Sequence, residues 1–238
     1  MNTFQHYLAE EFVEDYQEGR ISRREAVKYI ASITGSLILA EGFLAACAPL
    51  ATETPPAASA SPTGMAEATE TAPTGADPTP EDPAETPTQV ESGTVSPDNP
   101  KVIAEPVTFP GQGADLSAYL AYPADDGQYP VVLVCHENRG LTDHIRDVAR
   151  RLALAGYVAL AVDLLSRQGG TDAVGSSNVP GALGNIQPEQ FVQDFQSGFQ
   201  YVQTLPFADA SRVGMVGFCF GGGVTWLVAT RMPELLAA

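Results

Sequence analysis

The region from Lys101 onward alternates short apolar runs with segments whose apolar residues recur at helical spacing. Two continuous apolar runs, 131–134 and 157–162, are typical of parallel strands that are covered on both faces. Between them, Asp143 as a cap and Gly156 as a stop frame a predicted helix. The apolar face of that helix consists of Ile145, Val148, Ala149, Leu152 and Ala153.

The remaining pattern extends this alternation to the end of the chain. It predicts an antiparallel strand pair first, and later a loop, a phenylalanine-rich helix, a strand, a helix and the start of another strand. The strand pair covers 102–109 and 116–122, the loop 168–187 and the phenylalanine-rich helix 188–206. The next strand covers 212–216, the last helix 221–231 and the start of the final strand 235–238. The order predicts an α/β fold, namely the N-terminal part of a doubly wound, mostly parallel sheet with helices on both faces.

Composition separates the first hundred residues from this pattern. The net charge of the chain is −17, and the segment 48–100 carries nine acidic residues and no Lys or Arg. The segment is rich in Pro, Thr, Ala and Glu, and it predicts a disordered tether because it has too few apolar residues to offset its ordering entropy. The acidic balance also leaves no basic stripe for phosphates, which excludes nucleic acid as a partner.

Residues 1–47 carry two features of exported proteins. Ser22-Arg23-Arg24-Glu25-Ala26-Val27-Lys28 resembles a twin-arginine export signal, and Leu44-Ala45-Ala46-Cys47 resembles a bacterial lipobox. The apolar stretch between them is shorter than the ~20 apolar residues of a spanning helix. We expect an export segment over 1–47 with lipidation at Cys47, a tether over 48–100 and a folded domain over 101–238. An uncleaved amphipathic or membrane anchor is the alternative, and both readings place the domain outside the cytoplasm.

The segment Gly217-Phe218-Cys219-Phe220-Gly221-Gly222 directly follows the predicted strand 212–216. A nucleophile on a strand-to-helix turn has a strained backbone, and glycines two residues before and after it relieve the crowding. Such a turn exposes the Cys219 thiol and aims the backbone N–H of Phe220 at the same space, as half of an oxyanion hole. The spacing predicts an acyl-transfer hydrolase with a cysteine nucleophile.

Two further segments reach the same edge of the predicted sheet. These segments are His136-Glu137-Asn138-Arg139-Gly140-Leu141 and Val162-Asp163-Leu164-Leu165-Ser166-Arg167. Together with the strand-to-helix turn at Cys219, called the nucleophile elbow, they resemble motifs of the dienelactone hydrolase family of the α/β-hydrolase superfamily. The resemblance covers about residues 101–238. The resemblance implies an α/β-hydrolase fold and hydrolysis of ester bonds, as in a carboxymethylenebutenolidase. It implies Cys219 as the nucleophile and Glu137 as the group that hydrogen-bonds and activates the thiol. It also implies that the N–H groups of Phe220 and Asn138 form the oxyanion hole.

The chain departs from the family's pattern in two places. All three histidines lie before Cys219, whereas the triad Asp and His of this superfamily follow the nucleophile. We therefore expect a C-terminally truncated chain without multi-turnover activity. We expect His136 to be a buried, hydrogen-bonded histidine or one at the rim of the site, and a role as substitute base is the alternative. No Lys or Arg lies between Arg167 and Arg212, where the family has a substrate arginine, so Arg139 and Arg167 are the substrate-binding candidates.

The leading hypothesis is an exported, lipid-anchored hydrolase that cleaves a small-molecule carboxylic ester or lactone through Cys219. The alternative is a non-catalytic or truncated hydrolase-like surface protein that lacks the triad Asp and His. The sequence predicts no cofactor and no metal site, and it contains neither a phosphate-binding loop nor a dinucleotide fingerprint.

Overall fold

The computed structural model describes residues 3–46 and 93–238, so Cys47 and most of the predicted tether lie outside the described residues. The strands of the described part are β1 (Val102–Pro110), β2 (Asp115–Pro123), β3 (Tyr129–Cys135), β4 (Val158–Val162), β5 (Ala208–Gly217) and β6 (Leu235–Ala237). Its helices are α1 (Thr3–Gln17), α2 (Arg23–Thr34), α3 (Leu37–Ala46), α4 (Asp143–Leu154), α5 (Thr171–Val174), α6 (Val179–Gly184), α7 (Pro188–Val202) and α8 (Phe220–Ala229). A single 3-10 turn follows β4 at Ser166–Gln168.

The strands of the described residues form one mixed sheet in the order β1-β2-β4-β3-β5-β6. β2 pairs antiparallel with β1 and β4, whereas β4, β3, β5 and β6 run parallel to one another. Leu133 in the central strand β3 lies opposite Leu160 of β4 and Met215 of β5. The predicted α/β class, with an antiparallel pair before the parallel strands, is confirmed.

Helices cover both faces of the sheet, as the continuous apolar strands require. On one face, Ile145 and Ala149 of α4 pack in a cluster with Val134, Ala159 and Ala161 of the strands. On the other face, the side chains come from α7, α8 and the central strands, and the cluster includes Phe191, Phe195, Val224, Leu133 and Leu160. The parallel strands are therefore packed between two layers of helices.

The structure differs from the sequence analysis in the stretch 168–187, which was expected to be a loop. It contains the short helices α5 and α6, and Val179 and Leu183 of α6 are fully buried. These apolar residues form a helix because they have a partner, since α6 contacts both α1 and α2. A smaller difference concerns α4, whose N-cap is Thr142 and not Asp143.

The predicted tether is also too long at its C-terminal end. Val95 is 5% exposed and belongs to the α4 cluster. Its N–H donates to Asp147 Oδ1 at 2.6 Å, and its carbonyl oxygen accepts a hydrogen bond from Arg150 Nε at 2.6 Å. This backbone is held by side chains of α4, so residues 93–100 belong to the folded domain.

Residues 3–46, which we call the N-terminal helical unit, form three helices that pack on one another. Ser22 caps α2 in a reciprocal capping box with Glu25, and Gly35 ends α2 in the left-handed conformation with φ 69°. The rings of Phe12 and Tyr29 stack at 4.7 Å between α1 and α2. Among the helices of 3–46 and 93–238, none combines the length and the apolar content needed to cross a membrane.

Candidate active site

Cys219 lies at the junction of β5 and α8, where the sequence predicts the nucleophile elbow. Its φ is 52°, and in the described part of the chain it is the only residue other than glycine with a positive φ. Such a conformation costs about 1–3 kcal/mol, so the surrounding structure must hold it in place. This turn places the sulfur at the carboxyl end of the parallel strands.

The glycines that flank Cys219 are required by close backbone approaches. A Cβ at Gly221 would lie 2.5 Å from the carbonyl oxygen of His136 and 2.7 Å from that of Cys135. A Cβ at Gly217 would overlap the Gly221 carbonyl and the Thr225 hydroxyl. Glycine is therefore required on both sides of Cys219 for the steric reason that the spacing predicts.

Two backbone N–H groups influence the Cys219 thiol. The hydrogen bonds from Phe220 and Asn138 both act to lower the pKa of the thiol, because they favour the negative charge of a thiolate. Phe220 begins α8, and Asn138 is buried in the loop that follows β3. These are the two donors that the resemblance implies for the oxyanion hole.

The loop that carries Asn138 is fixed by the buried His136. Its Nε2 accepts a hydrogen bond from the Leu164 N–H at 3.2 Å, so Nδ1 carries the proton and donates to the Glu137 carbonyl oxygen at 2.7 Å. Burial lowers the pKa of this imidazole, which agrees with the neutral form. His136 is a buried residue satisfied by backbone groups, as the sequence analysis expected, and it joins the loops that follow β3 and β4.

A second connection joins the same two loops. Asp163 accepts hydrogen bonds from the Thr171 hydroxyl at 2.9 Å and from the Thr171 N–H at 2.7 Å. The Thr171 hydroxyl oxygen in turn accepts from the Leu141 N–H at 2.9 Å. Thr171 packs directly against Gly140, whose φ is 83°. The edge of the site is thus built from a connected polar network, which favours a single rigid geometry.

A cavity of about 420 Å³ opens beside the thiol. Its lining side chains come from α1, the α1–α2 connection, the loop after β3, the start of α4 and the elbow: Glu11, Asp15, Arg20, Glu137, Asn138, Arg139, Thr142, His144 and Cys219. Glu137, Asn138 and Arg139 therefore share a cavity with the predicted nucleophile.

Arg167, the other candidate for substrate binding, is engaged elsewhere. Its Nη1 pairs with both carboxylate oxygens of the buried Asp194, at 2.6 and 2.8 Å, and its Nη2 donates to the Gln112 carbonyl. It does not line the cavity at Cys219. In this structure the Arg167 guanidinium is paired with a buried carboxylate, and a role for Arg167 in substrate binding stays a prediction.

The carboxylate that contacts the thiol belongs to α1. Cys219 Sγ donates a hydrogen bond to Glu11 Oε2 at 2.8 Å, across 208 positions of sequence. Partial burial and this hydrogen bond raise the pKa of Cys219 to about 12, against the opposing effect of the two N–H groups. Glu137, expected to hold the thiol, lines the cavity instead, and its role in activation stays a prediction.

Three groups reach the site from outside the hydrolase-like segment, and no motif in the sequence indicates them. Glu11, Asp15 and Arg20 come from a region interpreted only as an export segment, and no spacing links them to the elbow. His144 opens α4 and lines the cavity as an exposed residue. Only its nearness to the loop after β3 could have suggested it.

A mostly parallel sheet with a cysteine on a strained strand-to-helix turn is typical of the α/β-hydrolase class. The comparison with family models then gives the particular group. The model described as "Dienelactone hydrolase family" matches residues 116–238, slightly more than half of the chain. The protein belongs to the dienelactone hydrolase family, which confirms the resemblance stated from its motifs.

Individual relatives agree with this assignment. The chain is 36% identical over 146 residues to a protein of Methylorubrum extorquens named "Putative carboxymethylenebutenolidase", covering 60% of this chain and 50% of that protein. It is 40% identical over 136 residues to a Salmonella typhi protein of the same name, covering 55% and 49%. A crystal structure titled "Putative Dienelactone Hydrolase" from Klebsiella pneumoniae superposes with a TM-score of 0.52 at 35% identity, covering 56% and 57%. The chain spans about half the length of these relatives.

Proposed function

We propose that the protein hydrolyses carboxylic esters or lactones through a covalent acyl intermediate on Cys219. One observation carries the proposal: the thiol lies on a strained strand-to-helix elbow, next to backbone N–H groups of Phe220 and Asn138 that act to lower its pKa. Donors fixed in this way stabilise a developing oxyanion, because they need no rearrangement when the charge appears. The names of the relatives support the same class of substrate.

The chemistry proceeds in two transfers. The thiolate attacks the carbonyl carbon, a C–S bond forms, and the carbonyl oxygen takes the negative charge next to the two N–H groups. The C–O bond then breaks, and the alcohol leaves with the proton that the thiol gave up, for which Glu137 is the proposed acceptor. Water attacks the resulting thioester, so the acid is released and the thiol is restored.

A direct test is to look for the acyl intermediate itself. An activated ester such as p-nitrophenyl acetate should add one acetyl group to Cys219, located by peptide mass spectrometry. Cys135 is the internal control, because it is fully buried and its pKa is raised by that burial. Release of p-nitrophenol should disappear in Cys219→Ala, and release that persists in this variant would exclude Cys219 as the nucleophile.

The charges at the cavity bear on the substrate. Three carboxylates line it, those of Glu11, Asp15 and Glu137, against two guanidinium groups. Of the two arginines, Arg20 is paired with Asp15 at 2.6 Å and also with Glu18. We propose that neutral esters and lactones are preferred over anionic ones, with Arg139 as the group that would contact a substrate carboxylate. Acylation rates with a matched neutral and anionic ester, in the wild type and in Arg139→Ala, test this preference.

We also propose, from the sequence motifs, that the protein is exported and lipidated at Cys47. Arg23 and Arg24 are exposed at the start of α2, which supports recognition by a receptor. Replacing Cys47 by Ala should abolish incorporation of a labelled fatty acid and release the protein from the membrane fraction. Lys at both arginine positions should retain the precursor in the cytoplasm. Unchanged fractionation of both variants would contradict export by this route.

A further inference from the structure

The Cys219 site has two separate contacts with α1. The first is the hydrogen bond from the thiol to Glu11. The second is the wall that Glu11 and Asp15 form along the cavity next to Glu137. One helical turn before Glu11, the Tyr7 hydroxyl hydrogen-bonds the same carboxylate, and burial together with that bond raises the pKa of Tyr7. The Glu11 carboxylate is thus oriented from both sides.

The position of α1 is set by a packed interface and not by the thiol contact alone. Leu8, Ala9 and Phe12 of α1 are at most 2% exposed and lie in the main apolar cluster. A Cβ at Gly184 of α6 would lie 3.7 Å from Leu8, and one at Gly181 would lie 2.6 Å from the Ser32 carbonyl oxygen. The two glycines let α1 and α2 approach α6 closely.

From this arrangement we infer that the N-terminal helical unit is an intramolecular inhibitor of the Cys219 site, which keeps the thiol bonded to Glu11 until the unit leaves. The inference rests on the proposed role of Cys219 as a nucleophile. It assigns to residues 3–46 a function beyond carrying an export signal. The docking surface for the unit is α6, and the inhibitory group is one carboxylate.

Two physical effects give the inhibition. Glu11 places a negative charge next to a sulfur that must itself become negative, so it favours the protonated, unreactive thiol. A carbonyl carbon must also approach the sulfur to about 3–3.5 Å before reaction, and Glu11 Oε2 already lies 2.8 Å from it. The carboxylate therefore occupies one direction of approach to the sulfur and competes with an ester for it.

The proposed processing would cut the inhibitor from the domain, so that the unit could dissociate. Cleavage before Cys47 separates residues 3–46, including Glu11 and Tyr7, from the domain that carries Cys219. The precursor would then be inactive before export, and the lipidated form would have a free thiol. This order of events protects the cytoplasm from the esterase.

The first experiment measures alkylation of Cys219 by iodoacetamide in the full chain, with peptide mass spectrometry to separate the three cysteines. Glu11→Gln removes the negative charge with little change of shape, and Glu14→Gln makes the same change at an exposed position of α1. A fall of one unit in the thiol pKa raises the thiolate fraction about tenfold. We expect at least a tenfold faster alkylation in Glu11→Gln and a change of less than twofold in Glu14→Gln.

The second experiment displaces the unit without touching α1. Gly181→Val forces a side chain into the space occupied by the Ser32 backbone, whereas Gly42→Ala alters a glycine of α3 with no neighbour within 4 Å. Alkylation of Cys219 should rise in Gly181→Val and stay unchanged in Gly42→Ala. Cys135 must remain unlabelled, which shows that the sheet is still folded. Because Glu11→Gln is conservative, it decides the question if Gly181→Val unfolds.

The outcomes separate this inference from the proposed function. Equal alkylation of Cys219 in the wild type and in Glu11→Gln would overturn the inhibitor, whether or not the thiol accepts an acyl group. Faster alkylation together with faster acetylation by p-nitrophenyl acetate would support both. Faster alkylation with no acetylation in either protein would keep the inhibitor and contradict the esterase.

Discussion

The Cys219 sulfur lies between two regions with opposite effects on it. On the sheet side, the N–H groups of Phe220 and Asn138 stabilise a negative charge on the sulfur. On the helix side, Glu11 of α1 opposes that charge and accepts the thiol's hydrogen bond. Burial and the hydrogen bond to Glu11 together raise the pKa of Cys219 against the effect of the two N–H groups. Under the proposals made above, the reactivity of this thiol depends on whether α1 stays docked beside it.

The largest effect should come from disrupting the close backbone packing at Gly221, on the sheet side of Cys219. In Gly221→Ala the new Cβ meets two carbonyl oxygens of the β3 end, which cannot move without opening the sheet. We expect a loss of about 3 kcal/mol in unfolding free energy, measured by urea denaturation. Gly222→Ala, whose Cβ would have its nearest neighbour at 3.6 Å, should stay within about 1 kcal/mol of the wild type. Equal losses in the two variants would contradict the steric account.

The second prediction separates a structural arginine from an arginine of the site. Arg167→Ala leaves the buried Asp194 carboxylate unpaired, which should cost about 3 kcal/mol of stability. Arg139→Ala removes an exposed side chain and should change stability by less than about 0.5 kcal/mol. Chemical denaturation of both variants checks the difference. Similar stabilities would show that the pair between Arg167 and Asp194 contributes little.

A smaller effect should follow from loosening the loop that presents Asn138. His136→Ala leaves the Leu164 N–H and the Glu137 carbonyl without their buried partner, at a cost of about 2 kcal/mol. Acetylation of Cys219 should slow, because one N–H donor is no longer held at the sulfur. His144→Ala, an exposed change at the same cavity, is the control for stability. A stable His136→Ala with normal acetylation would rule out a positioning role.

The smallest expected effect concerns how firmly the N-terminal helical unit is held beside Cys219. Ser22→Ala removes the capping box of α2, which should cost about 1 kcal/mol of helix stability. Since 1 kcal/mol is about a fivefold change in an equilibrium, alkylation of Cys219 should rise by up to about fivefold as the N-terminal helical unit loosens. Ser176→Ala is the exposed control. A drop in alkylation would mean that α2 does not help to hold α1 in place.

Most of the sheet domain could be predicted because its signals are local. Continuous apolar runs mark the strands 131–134 and 157–162, and the glycines around Cys219 mark the elbow by spacing alone. The α6 helix escaped prediction since its short apolar pattern is stabilised by α1 and α2, which are distant in sequence. The contact between Glu11 and Cys219 escaped for the same reason. No local pattern records which helix will pack on a strand-end cavity 208 positions away.

The attachment of Val95 to α4 has a consequence for how the chain is regulated. Val95 packs in the α4 cluster, whereas the N-terminal helical unit packs in the cluster of the opposite sheet face, and residues 47–92 join the two. While that connection is intact, the local concentration of α1 at Cys219 is independent of the protein concentration, as for any tethered ligand. A single cut within it converts the contact into an ordinary binding equilibrium between two molecules. Under the proposed inhibition, dilution alone would then free the thiol from Glu11.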